Sequence, residues 1–76
     1  MAMAIIGSET NIYRQALEAR ERTARELYEA EVALHHARQS GVDRWVGAAG
    51  DHLHIAHVRY ERAEAVLAAL RSSAAA

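Results

Sequence analysis

QSGVD, residues 39–43, is the stretch on which the fold turns. Gly41 suits the left-handed backbone position just past a helix end, and Asp43 suits the cap of a following helix. Long apolar-periodic stretches lie on both sides, and the chain contains no proline to interrupt either. The punctuation therefore predicts an antiparallel hairpin of two helices, over about residues 9–39 and 44–71.

Outward from the turn, the first helix repeats at near-heptad spacing. Tyr13, Leu27 and Leu34 share one row, interrupted by Arg20, whose stem can lie along the seam. Ala16, Thr23, Ala30 and Ala37 form the next row, and Leu17 and Ala24 widen the stripe. Ser8 or Thr10 is a candidate for the starting cap. Glu18–Arg22 and Glu21–Arg25 are spaced for i,i+4 pairing on the opposite face. The second helix carries a cleaner seam of Leu53, Ala56, Tyr60, Ala63, Leu67 and Leu70.

Composition limits what such a hairpin does. Its 76 residues make a single domain, with residues 1–8 and 72–76 expected to fray. A chain this short buries roughly 60–65% of its unfolded surface, and many domains of that size lean on a metal, disulfides or a partner. The absence of cysteine removes disulfides, thiolate metal sites and thiol redox chemistry. All nine basic residues are arginine, set against ten acids, and a net charge of −1 gives no electrostatic pull towards nucleic acid or an anionic membrane. MAMAIIG, residues 1–7, is too short for a signal core or a membrane span, so a cytoplasmic protein or one exported without a cleavable leader is expected. No catalytic motif is present, and a non-enzymatic protein is expected.

A second set of apolar residues bears on assembly. Ile55, Val58, Ala65, Val66 and Ala69 lie outside the seam of the second helix, as do Ile12, Ala19, Val32 and Ala33 on the first. One hairpin covers one stripe per helix, so these residues predict a partner face centred on Ile55, Val58 and Val66. A four-helix bundle built as a homodimer, or as a heterodimer with a similar hairpin, follows.

Trp45-Val46-Gly47, then Ala48-Ala49-Gly50, with Val58, Arg59 and Ala63 beyond, resembles the WXG100 family of actinobacterial type VII (ESX) secretion. The resemblance is closest over Trp45–Ala63, about a quarter of the chain. It implies a leaderless helical hairpin with a W-x-G motif at the bend, pairing into a four-helix bundle and exported folded. The family also carries a Tyr-x-x-x-Asp/Glu export signal after its second helix. Tyr60 and Glu64 match those residue types, but they lie inside the second helix and Tyr60 falls on its seam. Trp45, Gly47, Tyr60 and Glu64 are thus the recognition residues that the resemblance implies. Physical packing alone gives another role: Trp45 buried over the open end of the core, with Gly47 and Gly50 relieving crowding where the helices converge.

The five histidines all fall between residues 35 and 57. Glu31 and His35 share a helix face, Asp51 and His54 nearly do, and His54 and His57 form a further i,i+3 pair. Folding at Gly41 is expected to bring His52 across from Glu31 and His35. Imidazole and carboxylate groups at such spacings suit zinc or a similar divalent ion when they converge. The same rings suit a pH-sensitive interface, or a solvated face with no ligand. The functional expectation is an interaction module of the WXG100 kind, with a helical adaptor or regulatory subunit of a larger complex as its rival.

Overall fold

The computed structural model describes the backbone of residues 2–75 and the side chains of residues 11–73. Two helices make up the fold, α1 (Ala2–Ser40) and α2 (Asp43–Ala75), packed against each other as an antiparallel hairpin. Both extend past the expected outer bounds. Ser8 and Thr10 accordingly lie inside α1 rather than at its cap; their side chains fall outside the described ones.

The turn forms as glycine chemistry dictates. Gly41 has φ of 74°, a conformation that costs a side-chain-bearing residue roughly 1–2 kcal/mol. Its N–H donates to the Arg38 carbonyl at 3.3 Å, closing the end of α1. The Ser40 hydroxyl donates to the Ala37 carbonyl and accepts from the Val42 N–H. The start of α2 corrects one expectation. The Val42 carbonyl accepts from Val46 N–H at 3.1 Å, so Val42 occupies the cap position and Asp43 already belongs to the first turn. A carboxylate there still favours the positive end of the helix dipole.

The core is a seam of small residues. Ala16, Thr23, Ala30 and Ala37, each seven residues from the last, are all buried. Across from them Ala56 and Leu67 are buried, and Leu53, Tyr60, Ala63 and Leu70 are half-buried. The Thr23 hydroxyl donates within its own helix, to Ala19 at 2.8 Å and Arg20 at 3.0 Å, so its burial strands no polar atom. Arg20 is half-buried, consistent with a stem lying along the seam. Contacts between the helices fix the register: Arg59 approaches Glu26 at 3.9 Å, and Arg71 Nε donates to the Tyr13 hydroxyl at 3.4 Å. Residues equally distant from Val42 therefore lie roughly level.

The result is a rod one helix thick. Its principal extents are 59 × 22 × 13 Å, and its radius of gyration is 17.3 Å, against about 11 Å for a compact domain of this length. Its accessible surface is 5941 Å², where a compact monomer of the same mass would expose about 4,600 Å². Among the described residues, no helix is long and apolar enough to cross a membrane.

Candidate interaction surface

Trp45 overturns the expectation of burial. It stands in the first turn of α2 with 53% of its surface exposed, because a hairpin one layer thick offers no third element to cover that side. Gly47 and Gly50 correct a second expectation: a Cβ built on either meets nothing within 4 Å, so no crowding between the helices calls for them. Gly47→Ala and Gly50→Ala should each stabilise the chain by about 0.5–1 kcal/mol through helix propensity, as read by urea unfolding. A loss of stability from either would mean that another chain packs against the missing side chain.

The expected partner face is largely open. Ile55 and Val66 are 54% and 53% exposed, while Val58 is half-buried. Beside them the two helices leave two grooves. One, of about 360 Å³, is lined by Ala16, Ala19, Thr23, Ala63 and Val66 together with Arg22, Glu26, Arg59 and Arg62. The other, of about 240 Å³ and nearer the turn, is lined by Glu26, Glu29, His52, Ile55, Ala56 and Arg59. Ile12, at the far end of the described part of α1, is also exposed. Sequence reasoning missed the Arg59–Glu26 pair that lines both grooves, because it exists only once the register of the two helices is known.

Tyr60 and Glu64 form a local pair on the seam edge. The Tyr60 hydroxyl donates to Glu64 Oε1 at 2.7 Å. That hydrogen bond, then the Glu64 charge, then burial raise the Tyr60 pKa above the usual 10.0, with Arg20 opposing them. The folded value exceeds the unfolded one, so any stabilisation is present up to the ordinary tyrosine range and is lost as pH rises through the raised value. In an alkaline titration of tyrosinate absorbance, Tyr60→Phe should remove a late phase and Glu64→Gln should move that phase to lower pH. A titration curve unaltered by Glu64→Gln would contradict the pairing.

The histidine cluster does not close on a metal. Glu31, His35, Asp51, His52, His54 and His57 are all exposed. Among the described residues, no three His, Asp or Glu side chains come together to hold an ion. His57 Nδ1 lies 2.8 Å from Glu61 Oε1, a partner one helical turn on that the i,i+4 rule could have named. His35 lies near His36, with ring centroids 6.1 Å apart. His52 lines a groove together with Glu26 and Glu29. The expected Glu18–Arg22 and Glu21–Arg25 pairs are not among the contacts between acidic and basic side chains of the described residues; Arg59–Glu26 and His57–Glu61 are.

In comparisons with protein-family models, curated proteins and solved structures, nothing matches the chain.

Proposed function

We propose that this chain is a non-enzymatic protein-interaction module, a helical hairpin that pairs with a similar hairpin into a four-helix bundle, of the WXG100-like kind associated with type VII secretion. The observation that carries the reading is the set of uncovered apolar side chains: Ile12, Trp45, Ile55 and Val66 are each about half exposed, while among the described residues the core consists mainly of alanines and Leu67. A pairing hairpin covers those residues. The W-x-G turn supports the secretion reading, since Trp45 is reachable and the space beside Gly47 is open. The reading assigns no cofactor.

Trp45→Ala tests it. In a host with a type VII system, export should fall at least ten-fold while helix content and thermal midpoint change little, because a half-exposed ring contributes less to folding than a buried one. Export at the level of the unaltered chain would remove the secretion reading. A second reading, a helical adaptor for a larger complex, is favoured by the exposure of Ile55 and Val66 mid-helix, far from the W-x-G turn. Under it, Ile55→Asp abolishes partner capture and Trp45→Ala leaves capture unchanged.

A further inference from the structure

We propose that the groove between α1 and α2 takes an amphipathic helix of another chain, one with an aspartate or glutamate in the centre of its apolar stripe. Arg22 and Arg62, on opposite walls of the groove, receive that carboxylate. This rests on the reading that the uncovered face is an interaction surface, and it specifies the chemistry of the partner.

Spacing selects a helix as the occupant. On α2 the groove face is lined by His52, Ile55, Arg59, Arg62 and Val66, at alternating steps of three and four residues. On α1 Ala19, Arg22, Glu26 and Glu29 follow the same alternation. That period is the one a coiled-coil seam presents, and it runs beside the buried row of Ala16, Thr23, Ala30 and Ala37 that already packs the hairpin. From His52 to Val66 the trough is about 21 Å long, which four turns of a docked helix fill.

Charge selects the chemistry of that helix. Three arginines line the face against two glutamates, and Glu26 lies 3.9 Å from Arg59. Counted from that pair, away from the turn, Arg22 lies about 6 Å along α1 and Arg62 about 4.5 Å along α2. The two therefore stand nearly level on facing walls, and neither is in an ion pair among the described residues. Arg62 has no acid at pairing distance along its own helix, where Val58, Arg59, Ala65 and Val66 occupy the positions three and four residues away. Arg22 has Glu18 and Glu26 at that spacing, but Glu26 faces Arg59 and Glu18 does not pair with it.

The floor between these arginines is Ala19, Thr23 and Ala63, and the Thr23 hydroxyl donates to carbonyls of its own helix. A side chain entering at this level meets small groups below and a guanidinium on each side. A carboxylate gains charge-assisted contacts to both, whereas leucine or lysine would cover the two cations without a partner. A second copy satisfies the site less well. Face to face, each copy brings three arginines against two glutamates, an excess of arginine that no choice of symmetry axis removes. In the absence of the acidic helix the copy covers the face weakly, and the acidic helix displaces it.

Peptide binding to the full chain tests the inference. The probe is a dye-labelled amphipathic helix long enough to span the groove, with leucine and alanine along its stripe and glutamate at the central stripe position. Counterparts carry glutamine or lysine there. By fluorescence anisotropy the glutamate peptide should bind at least ten-fold more tightly than the lysine peptide, with the glutamine peptide between them. R22E/R62E should reverse that order, and Arg62→Gln, which keeps helix propensity, should flatten it. Arg14→Glu, outside the groove, should leave the order unchanged. Circular dichroism on the same samples separates lost binding from lost fold. Equal binding of the three peptides, or an order unaltered by both R22E/R62E and Arg62→Gln, overturns the inference and leaves an interaction face without charge selection. A chain that self-associates but binds none of them also overturns it, with the bundle reading intact. A helical monomer that binds none overturns the interaction reading as well.

Discussion

Leu67→Ala should abolish cooperative folding of the chain at physiological temperature. Leu67 is fully buried, and among the described residues the other buried side chains are Thr23 and four alanines. Truncating a buried leucine costs roughly 2–5 kcal/mol, depending on how far the site collapses. At about 0.05–0.15 kcal/mol per residue, a chain of this length holds roughly 4–11 kcal/mol in total. Leu67→Ala therefore takes a large share of it, and among the described residues the seam has no second large side chain at equal depth to make up the loss. Thermal circular dichroism at fixed protein concentration reads the effect. A midpoint within a few degrees of the unaltered chain would mean that the core lies elsewhere.

Ala30→Leu should act from the opposite direction. Ala30 is 1% exposed in a row whose four members are all small, so α1 brings to this row no side chain larger than threonine. Leucine there has no free volume to enter, and the helices must separate along the seam. Overpacking of this kind typically costs 1–3 kcal/mol, and here it also weakens contacts at Thr23 and Ala37 on either side. Ala24→Leu is the control: Ala24 is exposed, and leucine and alanine both favour helix, so its effect should stay within about 0.5 kcal/mol. Equal destabilisation by both changes would show that helix propensity, not seam geometry, is being read.

The hairpin and its seam were legible in the sequence because both rest on local rules. Gly41 at the turn and the seven-residue recurrence of Ala16, Thr23, Ala30 and Ala37 need only backbone conformation and helical periodicity to interpret. The cap was less legible. Asp43 has the right chemistry, but the link between helices is so short that the Val42 carbonyl takes the first helical hydrogen bond. Trp45 was misjudged because tryptophan is usually drawn into a core, and two helices side by side have no layer above that face to receive it. The glycines were misread as well, since crowding was expected where the helices converge and nothing stands within 4 Å of a Cβ at either. For the histidines, spacing along one helix says which rings share a face but not how far they stand from carboxylates on the other helix, and His57 found Glu61 on its own helix.

The candidate surface was half legible. Ile55 and Val66 stood out as apolar residues off the seam, and both are exposed; Val58 has the same composition but a position that half covers it. The pairing of Arg59 with Glu26 along the grooves depends on which residue of α2 stands beside which of α1. That knowledge belongs to the folded hairpin.

The central claim is that one hairpin is an incomplete fold, finished by a second. The most direct measurement is the solution mass of the purified chain across a wide concentration range, by light scattering, with helix content followed on the same samples. A dimer of twice 8.4 kDa that dissociates on dilution together with loss of helicity is the predicted result. A monomer that stays fully helical and unfolds cooperatively at every concentration would contradict it, since the exposed Ile55 and Val66 face would then need no cover.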